Sequence, residues 1–202
     1  MPSNSAPASL VIVSGLPRSG TSMMMKMLAA GGLPPLTDAL READTDNPDG
    51  YFEFERAKAL TKGDIGWLPL AQGKAVKVIS ALLPLLPDTY RYRVIFMERQ
   101  MQEVLASQRK MLARRGERSP SVDDAAMAAV FAKHLAQTRS LLAQRPYIAV
   151  LTVHYRDVLA DAPVQAARVR DFLQLPLDAE KMVAAVNEGL YRNRQVGTPP
   201  TT

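Results

Sequence analysis

The chain has 202 residues, 47% hydrophobic and 22% charged, enough for one domain, residues 1–202, with a sizeable core. It has no cysteine, which excludes disulfides, thiolate catalysis and cysteine-bound zinc, and two histidines are too few for a histidine-rich metal site. A net charge of +5 can steer anions, but its short Lys/Arg runs and few aromatics argue against a nucleic-acid partner.

Met1–Ala8 lacks the charged start and apolar core of a signal peptide. No window approaches the roughly 18 apolar residues needed to span a membrane. The expectation is a cytoplasmic chain with no membrane partner. Ser9–Val13 is an apolar, β-branched run that reads as a buried strand. Gly15–Gly20 is a glycine-bearing turn, and Thr21–Ala30 is a helix ending at Gly31-Gly32. Leu33–Gly73 is an irregular insert punctuated by prolines and glycines, of the kind that forms lids or binding loops. Lys74–Ile79 and Arg93–Met97 read as further strands, and Gln100–Arg115 as an amphipathic helix. Arg114–Asp124 breaks the pattern, and Val122–Gln144 is a second long helix with Asp123 and Asp124 near its positive end. Tyr147–Val153 reads as another buried strand, Pro163–Leu173 and Asp178–Glu188 are helices, and residues 196–202 form a frayed tail. Strands alternating with helices predict an α/β fold, a three-layer sandwich around a mainly parallel sheet. Ligands bind such sheets at the carboxyl ends of the strands.

The sharpest motif is VIVSGLPRSGTSMMMKML, Val11 to Leu28. Gly15 and Gly20 have the spacing of P-loop glycines, with Thr21-Ser22 where kinases carry Lys-[Ser/Thr]. Glycine permits the tight turn and the close backbone approach. Backbone N–H groups at Ser19–Ser22, the hydroxyls of Ser19, Thr21 and Ser22, and the helix dipole together suit a phosphate. The kinase lysine is missing, and Arg18 supplies the positive charge instead, as a fork that can clamp two oxygens.

The string GLPRSGTS, Gly15 to Ser22 with Pro17 inside it, resembles the 5′-phosphosulfate loop of sulfotransferases in its PRSGT form. The resemblance implies a P-loop-kinase-like fold and PAPS as sulfuryl donor, leaving PAP, with no metal required. Tyr92 to Leu112 adds a second point of likeness: Arg99 just past a strand and Ser107 eight residues on, the pattern of the family's 3′-phosphate site. In Val153 to Pro176, Tyr155 matches a tyrosine that approaches the nucleotide. The family's Arg-Lys-Gly motif is absent, and Arg192 or Arg194 of Tyr191–Arg194 is its candidate substitute.

Sulfuryl transfer to a hydroxyl also needs a base. Lys77 keeps the lysine of the cytosolic members' Lys-Thr-His motif, but Ile79 stands at the histidine position. Asn47–Glu55 (NPDGYFEFE) offers carboxylates after a Pro-Asp-Gly turn, with Glu53 the first choice and Glu55 the second. His154 is a weaker rival, and His134 reads as a surface or packing residue. The reading is a sulfotransferase acting on a small-molecule or peptide acceptor, through a hydroxyl or less readily an amine. The alternatives are a P-loop nucleotide or small-molecule kinase and a PAP-binding module without catalysis.

Overall fold

A computed structural model describes residues 9–38, 50–114, 116 and 123–186. Its centre is a five-stranded, wholly parallel sheet in the order β2-β3-β1-β4-β5. The strands are β1 (Leu10–Gly15), β2 (Pro35–Leu36), β3 (Ala75–Lys77), β4 (Tyr92–Glu98) and β5 (Ile148–His154). The helices are α1 (Thr21–Ala30), α2 (Met101–Arg114), α3 (Asp124–Ala143), α4 (Tyr155–Ala160), α5 (Ala162–Leu173) and α6 (Ala179–Ala184). Three 3₁₀ helices, Glu55–Lys62, Leu68–Ala71 and Ser80–Leu85, form much of the predicted insert and its continuation.

β1 is central because every one of its residues is buried, and a parallel strand covered on both faces needs no polar alternation. Successive side chains point to opposite faces, so β1 and β4 feed two cores. On one face, Leu10, Ile12, Tyr92, Val94 and Phe96 pack with Trp67, Leu83 and Leu142. On the other, Val11, Val13, Ile95 and Met97 pack with Met24, Met25, Met27, Val169 and Met182. The predicted three layers are therefore present, with the 3₁₀ helices and α3 on one side and α1, α5 and α6 on the other.

Some predicted bounds shift. The strand expected over Lys74–Ile79 narrows to Ala75–Lys77, because Ser80 already opens a 3₁₀ helix. The helix expected from Asp178 begins at Ala179, with the Asp178 carboxylate capping the N–H of Lys181. The tail over 196–202 lies outside the described residues, and no described helix is long and apolar enough to cross a membrane.

Tyr92 sits in the first core, 1% exposed, and its hydroxyl is buried without a hydrogen-bond partner among the described residues. Burial, then the neighbouring Tyr147, Tyr90 and Asp88, push its phenol well above the usual tyrosine range. A phenol with a raised folded-state pKa contributes full stability below about pH 10, and loses it as pH climbs above that value. Tyr92→Phe removes a polar atom that has nothing to bond. Denaturant unfolding should give an unchanged or slightly higher stability at pH 7. Above pH 10 the variant should lose stability less steeply, by up to ~1.4 kcal/mol per pH unit.

Candidate active site

The carboxyl ends of β1, β3, β4 and β5 bring the predicted residues to one edge of the sheet. The loop after β1 is held from two sides. A Cβ on Gly15 (φ +148°) would lie 2.5 Å from the Met97 carbonyl oxygen of β4 and 2.5 Å from Ser19 Oγ. A Cβ on Gly20 (φ +102°) would lie 2.5 Å from the Tyr155 ring. Both positions combine left-handed backbone with a close neighbour, and only glycine meets both demands. Ser19 is 1% exposed, and its hydroxyl is buried without a hydrogen-bond partner among the described residues.

α1 starts at Thr21 with no acidic residue in its first turn. Its first N–H groups have no partners within the helix, and its dipole is positive at this end. The start of α1 is thus electropositive, with Thr21 and Ser22 adding hydroxyls. Pro17 is exposed at the tip of the loop.

Two cations flank this turn. Arg18 takes a left-handed conformation (φ +70°), rare for a residue with a side chain. Its Nε donates to Ser107 Oγ on α2 at 2.9 Å. On the opposite side, Lys77 Nζ at the end of β3 donates to Ser22 Oγ at 2.9 Å and to the Tyr51 carbonyl at 2.6 Å. Each cation therefore has a hydrogen bond that runs from the loop or to the start of α1.

Arg99 is held by Glu103, the Arg18 carbonyl and the Tyr155 ring. Its Nε donates to Glu103 Oε2 at 2.8 Å, and the two side chains are only 7% and 2% exposed. Its Nη1 reaches the Arg18 carbonyl at 3.4 Å. Its guanidinium carbon lies 4.3 Å from the centre of the Tyr155 ring. Tyr155, 5% exposed, opens α4, and burial raises its phenol pKa while Arg99 opposes the rise. Sequence reasoning paired Arg99 with Ser107. In the fold Ser107 accepts from Arg18, and Arg99, just before α2, pairs with Glu103, four residues on in the first turn of that helix. That spacing was visible in the sequence as an arginine and a glutamate at i and i+4.

The two candidate carboxylates diverge. Tyr51 to Glu55 crosses near the cradle, since the Tyr51 carbonyl receives Lys77. The Glu53 carbonyl accepts from Thr37 Oγ1 at 2.8 Å, so Glu53 stays on this segment, just past Phe52 in its left-handed conformation (φ +50°). Glu55 is exposed at the start of a 3₁₀ helix and forms an ion pair with Lys58 at 2.6 Å. Asn47–Asp49 and Arg192 lie outside the described residues.

The histidines also separate. His154 is 58% exposed, with Nδ1 3.9 Å from Glu98, which also receives Arg139. His134, expected at the surface or in packing, has Nε2 2.8 Å from Ser80 Oγ, three residues past Lys77.

The strain at Arg18 generates a test. Arg18→Ala keeps the left-handed backbone and loses the Ser107 contact, whereas Arg18→Gly loses the contact and relieves the backbone. Denaturant unfolding should find Arg18→Gly more stable than Arg18→Ala by ~1 kcal/mol. Equal stabilities would mean that the loop relaxes once the arginine is gone.

No family model and no curated protein sequence matches this chain at a significant level. Solved structures do. A sulfotransferase domain from the Synechococcus PCC 7002 olefin synthase superposes with a TM-score of 0.55 at 18% identity, over 98% of this chain and 83% of that one. A sulfotransferase domain from the curacin biosynthetic pathway superposes with a TM-score of 0.53 at 15% identity, over 91% and 79%. At these identities the likeness is one of architecture, and it establishes that this chain has the α/β fold of sulfotransferase domains.

Proposed function

We propose that the chain is a PAPS-dependent sulfotransferase that moves a sulfuryl group to a hydroxyl acceptor and releases PAP. The observation that carries the reading is the convergence of Arg18, Lys77 and Arg99 on one glycine turn at the carboxyl edge of the sheet. The shared architecture with sulfotransferase domains supports it.

The chemistry asks for this arrangement. The acceptor oxygen attacks sulfur in line, and the bond from sulfur to the 5′-phosphate oxygen breaks. The electron pair leaves with PAP, so negative charge grows on that phosphate. Donors fixed in advance stabilise growing charge most effectively. The loop N–H groups, Lys77 and Arg18 supply them on the 5′ side. Lys77 stands closest to the start of α1, and it would meet the oxygen that bears the new charge. Arg99, held by Glu103 and Tyr155, would serve the 3′-phosphate together with Ser107. An adenine nucleotide without that phosphate has no use for this second cation.

A kinase reading fits less well, because Thr21 stands where the kinase lysine belongs. The reading of an inactive binder predicts PAP affinity without turnover, and the two measurements together separate it from an enzyme.

Calorimetric titration should give PAP at least ~10-fold tighter binding than ADP, since a charge-assisted hydrogen bond contributes about 1.5–3 kcal/mol. Ser107→Ala should narrow that gap while leaving ADP unchanged. Equal affinities for PAP and ADP would remove the case for PAPS. Release of PAP from PAPS should also survive excess EDTA, because protein cations take the part that magnesium plays in kinases. Loss of activity on chelation, restored by magnesium, returns the chain to the kinases.

A further inference from the structure

A hydroxyl acceptor loses a proton as its oxygen bonds to sulfur, and the donor side described above has no group to receive it. Arg18, Lys77 and Arg99 are cations, and Glu55 is tied to Lys58 in an exposed ion pair. Among the described residues, the candidates left are Glu53, whose carbonyl accepts from Thr37, and the Ser80–His134 pair.

Ser80 and His134 meet just past β3. Ser80 follows β3 by three residues, so a fully extended chain puts it within about 10 Å of Lys77. Ser80 is 2% exposed, and its Oγ lies 2.8 Å from His134 Nε2. His134 comes from α3, 54 residues away in sequence, so the contact depends on the tertiary fold. The inward stripe of α3 runs through Met127, Phe131, His134, Thr138 and Leu142. Thr138 and Leu142 are buried, whereas Met127, Phe131 and His134 are partly exposed. The stripe therefore emerges from the core at His134. Ile79, the residue before Ser80, is 46% exposed, an apolar side chain just past the carboxyl end of β3.

We propose that His134 is the catalytic base for the acceptor, with Ser80 as its positioning residue. The proposal rests on the sulfotransferase reading and names the acceptor-side group of that same site. Histidine suits the task because its ordinary titration lies near neutral pH. The proposal takes Nε2–H as the donor to the buried Ser80 hydroxyl, the tautomer that leaves Nδ1 its lone pair. The acceptor oxygen attacks sulfur, its proton passes to Nδ1, and the phosphate departs as PAP with the electron pair of the broken bond. Imidazolium then returns the proton to water. Ile79, next to Ser80 in sequence, and Met127 and Phe131, on the same stripe of α3 as His134, favour an acceptor whose hydroxyl is carried on an apolar or aromatic body.

The test uses the whole chain, PAPS, and 2-naphthol as acceptor, with transfer to water as the companion reaction. His134→Ala should cut naphthyl sulfate formation about 100-fold or more, with PAP affinity within a few-fold of the parent. Imidazole in the buffer should restore a substantial part of the lost rate. Pyrazole, nearly the same shape but far less basic, should not. Equal rescue by both would mean that the ring only fills space, and the proposal falls. His134→Gln, which retains a polar side chain, guards against a folding defect in the alanine variant and should be equally slow. Ser80→Ala should lower turnover about tenfold, and Ser80→Thr, which keeps the hydroxyl, should regain at least part. His154→Ala should match the parent. Full activity in His134→Gln overturns the proposal, and a parallel 100-fold loss in Glu53→Gln alone moves the base to that carboxylate. An unsubstituted chain that binds PAP but releases none from PAPS overturns the enzyme reading and the base together, whereas loss of the His134 effect alone leaves the enzyme reading standing.

Discussion

The close approach of Tyr155 to Gly20 is the constraint on which the site depends. The ring occupies the space where any larger residue at position 20 would put its Cβ. The same ring lies under the guanidinium of Arg99. One aromatic side chain thus touches both the turn after β1 and the cation after β4. Met97 closes the turn from below through its carbonyl against Gly15. The turn is therefore defined by β4 and α4 as much as by its own sequence, and Arg18 accepts an uncommon backbone conformation within it. Strain of this kind persists only where the surroundings over-determine it.

Buried charge is handled within the same cluster. Arg99 and Glu103 are almost fully removed from water, and such a pair has a desolvation cost that its mutual attraction has to offset. The pair gains rigidity in exchange, because the guanidinium is fixed by a carboxylate on one edge, an aromatic face and the Arg18 carbonyl. A cation held this way needs little reorganisation when an anion arrives. The same economy appears at Lys77, whose ammonium is already oriented by the Ser22 hydroxyl and the Tyr51 carbonyl.

Much of the architecture was legible because the signals were local. β1, β4 and β5 are apolar runs, and α2 and α3 fall close to the ranges their composition predicts. β2 was not legible, since two residues form a strand only by pairing with β3. α4 was missed as a separate helix because its six residues follow β5 without a break. The site shows the same division. The motif around Gly15–Ser22 announces itself by spacing. The contact of Ser107 with Arg18 does not, since the two lie 89 residues apart and no local spacing marks it. His134 is likewise silent, because a lone histidine on a helix carries no pattern until the fold sets Ser80 beside it.

The strand order has a consequence for how the chain reaches this state. β1 leaves the ribosome first, yet its hydrogen-bonding neighbours are Ala75–Lys77 and Tyr92–Glu98, and β5 completes the sheet only with Ile148–His154. Each pairing must close a long loop before any ladder energy is returned, which makes parallel sheets of this kind slow to form. Gly20 acquires its Tyr155 wall only after β3, β4 and β5 have been synthesised. During that interval β1 is an unpaired apolar edge, the sort of surface that aggregates when it waits too long. The nascent chain is therefore most vulnerable between the synthesis of its first strand and its last, and chaperone dependence or inclusion-body formation should track the time spent in that window.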